Sequence, residues 1–153
     1  MTDVHSPEVR SKNMRAIRSK DTKPELLVRK GLHAAGFRFR LHKAGLPGKP
    51  DLVLKKYRTV IFVHGCFWHG HDCKYFKTPK TRPDFWMSKI ESNRARDKVN
   101  IKNLNLLSWH VILIWECATK TDGPGLPEII RRVSSYLAGY ALQPIPSLTV
   151  ISA

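Results

Sequence analysis

The segment VIFVHGCFWHGHDC, residues 60–73, joins an apolar run to a loop that combines cysteine, histidine and aromatic side chains. The apolar run, Val60–Val63, is short and rich in β-branched residues, which is typical of a strand. A second run of this kind covers His110–Trp115, and segments with helical periodicity lie between and after the runs. The sequence therefore predicts an α/β fold with a central sheet.

The loop after the first run carries a candidate zinc site. Thiolate sulfur and imidazole nitrogen are the ligands that suit a tetrahedral Zn²⁺ ion. Cys66, Cys73 and one of His69 or His71 supply three ligands, and Cys117, which follows the second apolar run, completes a Cys₃His set. The spacing is not one of the common zinc patterns, so three small buried hydrophobic side chains are the alternative interpretation.

The same loop carries two adjacent aromatic side chains in a strongly basic protein. Phe67 and Trp68 lie in a polar, glycine-containing segment, where large rings are poor core material and good candidates for stacking on nucleic-acid bases. The chain has 27 Lys and Arg residues against 12 Asp and Glu residues, a formal charge of +15. Such a charge favours a polyanionic partner but indicates no particular chemistry.

Length and cysteine content bound the class of protein. A chain of 153 residues fits one domain with a core of ordinary size. Three cysteines cannot all pair, the N-terminus lacks the apolar stretch of a signal peptide, and no apolar run approaches a membrane span. We therefore expect a soluble, cytoplasmic protein with no membrane partner.

The chain divides into a basic arm at residues 1–20, an α/β body at residues 21–139 and a C-terminal tail at residues 140–153. The tail contains two prolines and several aliphatic residues, and its pattern assigns it neither structure nor role.

The arm is predicted to contain one helix. Ser6 is a typical N-cap with Pro7 at the first helical position, and the basic helix that follows has Met14 and Ile17 on one side. Too few apolar residues are present to anchor a core face. The helix is therefore either a solvated basic face or an arm that contacts DNA.

The body has a regular order of predicted elements. Thr22 and Glu25 form a capping box that opens a helix, in which Leu27, Val28, Leu32 and Ala35 face inward. Thr81 is the predicted N-cap of a long helix that places Phe85, Ile90, Ile101 and Leu104 partly inward. The predicted strands are Phe37–Leu41, Asp51–Leu54, Thr59–Val63 and His110–Trp115, and the predicted helices after the first strand are 83–106 and 124–137.

The hairpin formed by the second and third strands places a second candidate site. If the turn is centred at Tyr57, Asp51 lies opposite Val63 and beside the ring of His64. A carboxylate and a carbonyl oxygen can hold Mg²⁺ together with water and phosphate oxygens, and His64 and His69 could exchange protons near neutral pH. The plain alternatives are a turn acid for Asp51 and a satisfied core histidine for His64.

Several motifs of the chain resemble those of the very-short-patch repair (Vsr) DNA mismatch endonucleases. They are FVHGCFWH at residues 62–69, LPGKPD at 46–51, WEC at 115–117 and RSKNM at 10–14. The resemblance implies a restriction-endonuclease-like core, in which a mixed central sheet is flanked by helices and a structural zinc site is embedded. It also implies nicking on the 5′ side of the thymine in a T:G mismatch, the product of 5-methylcytosine deamination.

The resemblance also implies roles for particular residues. The structural zinc would be bound by Cys66, His71, Cys73 and Cys117. Asp51 and the backbone carbonyl of Val63 would hold catalytic Mg²⁺, His64 and Glu25 would support its water shell, and His69 would act as general base. Residue 63 is threonine in some relatives, but the role needs only a backbone oxygen. Glu25 also has its capping-box explanation.

On the same basis, Phe67, Trp68 and Trp86 would form an aromatic wedge that tests how easily the mismatched step unstacks. Further DNA contacts are expected from Met14, Ile17, Lys89 and Asn93. The expected partner is double-stranded DNA with a T:G mismatch, with companion mismatch-repair proteins as further candidates, and the expected state is a monomer.

Two other classes of function remain open on the sequence. One is a sequence-specific restriction endonuclease of the same fold, which would cut both strands of matched DNA and act as a dimer. The other is a non-catalytic DNA-binding module stabilised by zinc. Strand-specific nicking in the presence of Mg²⁺ separates them.

Overall fold

The computed structural model describes residues 6–16, 20–120, 122–139 and 147–152, without the side chains of residues 14–16. The helices are α1 (Pro7–Ala16), α2 (Lys23–Ala34), α3 (Pro83–Leu106) and α4 (Gly125–Ala138). The strands are β1 (Arg40–Leu41), β2 (Leu52–Leu54), β3 (Thr59–His64), β4 (His110–Trp115) and β5 (Leu148–Ile151). Among the described residues, no helix is long and apolar enough to cross a membrane.

The five strands form one mixed sheet in the order β1-β2-β3-β4-β5. The pairs β1–β2 and β2–β3 are antiparallel, whereas β3–β4 and β4–β5 are parallel. The α/β class with a mixed sheet flanked by helices is therefore confirmed, while the likeness to restriction endonucleases stays a prediction.

Helices cover both faces of the sheet because the apolar side chains of β3 and β4 alternate between two cores. On one face, Ile61 and Ile112 pack with Val28 of α2 and Ile129 of α4. On the other face, residues such as Phe62 and Leu113 pack with the C-terminal part of α3. The parallel strands β3 and β4 therefore end side by side in the middle of the sheet. The segment that follows each strand begins next to the candidate zinc site.

The hairpin register differs by one residue from the prediction. Leu52 pairs with Ile61, and Leu54 with Thr59, so Asp51 is not directly opposite Val63. A 3-10 turn ends at Arg58, which adopts a left-handed conformation with φ of 48°, and this turn moves the hairpin centre back along the chain. The first predicted strand was also too long, because only its last two residues pair with β2.

Three helix boundaries or faces also differ from the prediction. Arg82, not Thr81, precedes α3 as N-cap; it has a φ of 51° and makes no side-chain cap hydrogen bond. Phe85 is 45% exposed rather than directed inward, because it lies against Trp86 at the surface. In α2, Ala35 is exposed at the C-cap, whereas Val28 and Leu32 are buried as expected.

The C-terminal segment contributes a strand that the sequence pattern did not assign. Leu148–Ile151 pairs in parallel with β4, and Ile151 is buried in the core on the α2 and α4 side of the sheet. At the other end of the chain, Ser6 caps α1 as predicted, since its hydroxyl accepts a hydrogen bond from the backbone amide of Val9. The predicted DNA contact at Ile17 lies outside the described residues, as does the Met14 side chain.

Candidate active site

Four side chains that can bind a metal converge where β3 and β4 end. One ligand atom from each of Cys66, His71, Cys73 and Cys117 lies within 4.8 Å of the other three. The distance from Cys117 Sγ to His71 Nδ1 is 3.5 Å. In a tetrahedral zinc site, bonds of about 2.0–2.3 Å hold neighbouring ligand atoms roughly 3.5–3.8 Å apart. The donor set and its spacing therefore fit a zinc ion with His71, not His69, as the histidine ligand.

The loop at residues 66–73 is fixed by the strand ends and by α3. The His71 ring stacks on Trp115 at the end of β4, with 4.1 Å between ring centroids. Gly70 has a φ of 61°, and a Cβ there would lie 2.6 Å from the Cγ2 atom of Ile90, so only glycine permits this approach to α3. Burial among the other thiols raises the pKa of Cys66 to about 12, and a bound metal would oppose this by favouring the thiolate.

Asp51 lies just before β2, and its side chain, in place of a backbone carbonyl, bonds to the end of β3. Its Oδ2 atom accepts a hydrogen bond of 2.7 Å from the backbone amide of Val63. The amide and the carbonyl of a strand residue face the same neighbouring strand in an antiparallel pair. The Val63 carbonyl therefore points to the same side of β3 as Asp51. The hydrogen bond to Val63 uses Oδ2 of Asp51 and not Oδ1.

Burial and a second carboxylate raise the pKa of Asp51 to about 7. Burial is the larger cause, and the nearby Glu25 carboxylate adds to it, while the Val63 amide and the Arg29 guanidinium act in the opposite direction. Two carboxylates held together in a buried place repel each other unless a cation is present. The pair is thus suited to a divalent ion bound by Asp51.

Glu25 helps to cap α2 and also lies near Asp51 of the candidate magnesium site. Its backbone amide donates to the Thr22 hydroxyl, and its carboxylate accepts from the backbone amide of Asp21, so the predicted cap is present with a one-residue offset. The Glu25 carboxylate also accepts a hydrogen bond of 3.0 Å from Arg29. Arg29 and the neighbouring His42 were not singled out from the sequence, since a basic helix position usually indicates a solvated face.

His64 and His69 stack face to face, with 3.7 Å between ring centroids and an angle of 6°. The Nδ1 atom of His69 lies 2.5 Å from Oδ2 of Asp97 on α3. Burial, with a smaller contribution from His69, lowers the pKa of His64 to about 3, so His64 is neutral at physiological pH. Asp97 holds the Nδ1 proton of His69, which leaves the Nε2 atom of that ring free to accept a proton.

Sequence reasoning missed Asp97. Its partner His69 is 28 residues away along the chain, and Asp97 lies among other charged residues of α3. The only available signal was the predicted helix itself. A helical pattern does not show which acidic side chain of the helix contacts the loop at residues 66–73.

Aromatic side chains form a cluster beside the loop, which we call the aromatic cluster: Phe67, Trp68, Phe76, Phe85 and Trp86. The predicted wedge residues are thus neighbours, with ring centroids 5.2–5.8 Å apart. None of the three wedge rings is fully buried. Lys89 lies over two of them, at 5.9 Å from the Trp68 ring and 6.0 Å from the Trp86 ring.

Asn93, another predicted DNA contact, makes a bond within the protein. Its side-chain amide donates a hydrogen bond of 2.9 Å to the backbone carbonyl of Trp68. The amide thereby holds the loop that presents the aromatic cluster, and Lys89 is exposed one helical turn earlier.

Comparison with known proteins identifies relatives of this chain. A family model described as DNA mismatch endonuclease Vsr matches residues 2–75. The chain is 52% identical to a type II nicking enzyme, V.XorIIP, of Xanthomonas oryzae pv. oryzae, over 76% of this chain and 86% of that protein. It is 50% identical to the DNA mismatch endonuclease Vsr of Escherichia coli over 78% and 77% of the two chains. A nicking enzyme of Neisseria meningitidis, V.NmeAIP, is 49% identical over 78% and 86%. The chain belongs to the Vsr family of DNA endonucleases.

Proposed function

We propose that this protein is a magnesium-dependent endonuclease that nicks one strand of double-stranded DNA on the 5′ side of the thymine in a T:G mismatch. One observation carries the proposal: the loop 66–73 holds both His69, paired with Asp97, and the rings of Phe67 and Trp68. A single loop thus joins groups suited to proton transfer with groups suited to stacking on bases. The name of the Escherichia coli relative, a DNA mismatch endonuclease, supports the choice of substrate.

The metal sites have different proposed tasks. Cys66, His71, Cys73 and Cys117 would hold a structural Zn²⁺ that ties the loop to the end of β4. Asp51 and the Val63 carbonyl would hold Mg²⁺ together with phosphate oxygens and water. A Mg²⁺ ion at that place supplies Lewis-acid stabilisation of the charge that develops on the scissile phosphate.

The histidines and Asp97 provide the proton transfer. Asp97 fixes the tautomer of His69, so that Nε2 of His69 can take a proton from the attacking water as the phosphodiester bond is cleaved. His64 is neutral and stacked on His69, so it can bond to water without adding a positive charge next to the base. Glu25 lies beside Asp51 and can order water on the same side.

The aromatic cluster provides the recognition of the mismatch. A T:G wobble pair has nearly normal width, so hydrogen bonds alone distinguish it poorly from a matched pair. Rings inserted beside a base step test how easily the step unstacks, and a mismatched step unstacks at the lowest cost. The chain's formal charge of +15 supplies binding to phosphate that does not depend on sequence.

The experiment that tests this function uses protein that has been freed of Mg²⁺ but keeps its zinc. The substrates are duplexes labelled on both strands. With Mg²⁺ added, we expect a nick in the thymine strand of a T:G duplex and intact matched duplex. Double-strand cleavage of matched DNA would indicate a restriction endonuclease instead. Binding without cleavage at any Mg²⁺ concentration would indicate a DNA-binding module.

The roles of the two loop histidines predict opposite behaviour in two variants. His69→Ala should keep zinc and lose a factor of roughly 10² or more in single-turnover nicking, as expected for an absent general base. His71→Ala should lose zinc, because its Nδ1 atom lies 3.5 Å from Cys117 Sγ within the Cys₃His set. Asp97→Asn should keep zinc and reduce nicking, since a neutral amide would no longer stabilise a protonated imidazole. Zinc content is measured by elemental analysis, and zinc loss from His69→Ala alone would exchange the two histidine roles.

The wedge predicts a selective loss of mismatch binding. Trp68→Ala should weaken binding to T:G duplex by roughly 1–3 kcal/mol, the usual value of a base–aromatic stack. Binding to matched duplex, which depends on phosphate contacts, should change much less and keep its salt dependence. Tyr75→Ala is the matched control, because Tyr75 is an exposed ring outside the aromatic cluster that contacts Asp122.

If Trp68 were instead a structural residue, the same variant would behave differently. Its Cδ1 atom lies close to where a Cβ on Gly65 would be, so loss of the ring could loosen the loop. Equal weakening on matched and mismatched duplexes, together with a lower melting temperature, would rule out the wedge.

A further inference from the structure

The guanidinium of Arg29 on α2 lies within a set of side chains that could themselves bind a metal. Ligand atoms of Asp21, Glu25 and His42 lie within 4.8 Å of one another. The Nη2 atom of Arg29 lies 2.6 Å from Asp21 Oδ1, 3.0 Å from Glu25 Oε2 and 2.8 Å from His42 Nε2. A single nitrogen thus contacts all three potential ligands.

The Arg29–Glu25 pair within this set is largely buried, whereas the side chains of His42 and Asp21 are 24% and 42% exposed. The side chain of Arg29 is 12% exposed and that of Glu25 is 3% exposed. Surface ion pairs are weak and easily replaced by water, whereas a buried carboxylate requires a cation or hydrogen-bond donors close to it. The Arg29 guanidinium supplies both to Glu25 without a metal ion.

The contact with Arg29 also places His42 beside Asp51. The Nε2 atom of His42 lies 2.8 Å from Arg29 Nη2 and 3.6 Å from both Asp21 Oδ1 and Glu25 Oε2. The other ring nitrogen, Nδ1, lies 3.8 Å from Oδ1 of Asp51. Arg29 thus holds the His42 ring next to the Asp51 oxygen that is not bonded to the Val63 amide.

We propose that Arg29 is a built-in cation that occupies the Asp21–Glu25–His42 ligand set in place of a divalent metal ion and thereby positions Glu25 and His42 beside Asp51. Two carboxylates and an imidazole are a suitable ligand set for a divalent ion. A metal ion and the Nη2 atom cannot occupy the same space. Arg29 is therefore a positioning residue that leaves Asp51 as the carboxylate available to the catalytic metal, an inference that rests on the proposed function.

The test is the number of Mn²⁺ ions bound by the full, zinc-loaded chain without DNA, measured by electron paramagnetic resonance of the free ion. Arg29→Met removes the cation and keeps much of the side-chain volume, so this variant should bind about one Mn²⁺ ion more per chain than the wild type. Its melting temperature should also rise more on addition of Mn²⁺ than that of the wild type. Arg29→Lys keeps the positive charge, and Lys30→Met removes an exposed neighbouring charge; both should bind as many ions as the wild type.

A double variant shows where the additional ion binds. Arg29→Met with Glu25→Gln removes one ligand together with the guanidinium, so the additional Mn²⁺ should be lost. The proposal is contradicted if Arg29→Met binds no more Mn²⁺ than the wild type, or if the additional ion persists in the double variant. Failure of Arg29→Met to fold even with Mn²⁺ present would also contradict it, because a metal could then not take the place of the guanidinium.

The experiment is independent of nicking because it uses neither DNA nor activity. A protein that shows the expected Mn²⁺ binding but nicks no mismatched duplex would contradict the proposed function and leave the role of Arg29 in filling the ligand set intact. A protein that nicks as proposed but gains no ion in Arg29→Met would contradict this inference alone.

Discussion

Replacement of Asp51 by asparagine is expected to reduce nicking of a T:G duplex by a factor on the order of 10³ or more, because Lewis-acid stabilisation by the metal is worth several kcal/mol. The asparagine side chain would keep an oxygen that accepts the hydrogen bond from the Val63 amide, so the end of the hairpin should keep its structure. It would lack the negative charge that holds a divalent ion. The loss should therefore fall on the chemical step and not on folding.

Four measurements on this variant separate catalysis from structure. Single-turnover nicking should be lost, while zinc content and binding to mismatched duplex stay at wild-type values. The melting temperature should not fall, since burial raises the pKa of Asp51 to about 7 and a neutral side chain is tolerated there. Glu91→Gln, which removes an exposed carboxylate from α3, is the matched control and should nick normally. Normal nicking by Asp51→Asn would place the catalytic metal elsewhere.

Replacement of Cys73 by alanine is expected to remove zinc and to leave little folded protein. Apparent binding energies of structural zinc sites are on the order of 10 kcal/mol, comparable to the whole stability of a domain. Cys73 lies in the loop and Cys117 beyond β4, so zinc would link two segments far apart in the chain. Without that link, the loop with the aromatic cluster loses its support.

Elemental analysis and thermal unfolding measure this effect. Asp72→Ala is the matched control, because Asp72 is the exposed neighbour of Cys73 and lies outside the Cys₃His set. This control should keep zinc and the wild-type melting temperature. If Cys73→Ala is folded and nicks DNA normally, or if active wild-type protein contains no zinc, the proposed structural metal is wrong.

The strands and the Cys₃His set could be predicted because their signals are local or use rare residues. β3 and β4 are continuous apolar runs, and the three cysteines of the chain leave few ways to build a metal site. The choice between His69 and His71 was open on the residues alone. In the structure, His71 lies with the three cysteines and stacks against Trp115, a contact between distant segments.

Other features depend on tertiary contacts that no local pattern contains. The hairpin register shifted because Arg58 adopts a left-handed conformation that a basic residue does not signal. β5 is short, and its pairing with β4 brings together segments that are far apart in sequence. Asp97 and Arg29 are charged residues on helices, and only tertiary packing brings Asp97 to His69 and Arg29 to His42.

The proposed mismatch specificity is tested by mapping cleavage, with Mg²⁺ present, on duplexes that carry every mismatch, each placed in several flanking sequences. We expect one product, a nick in the thymine strand on the 5′ side of the mismatched thymine, formed on T:G duplex and not on matched DNA. Nicking of matched and mismatched duplexes at equal rates, or cleavage of both strands, would contradict the proposed function.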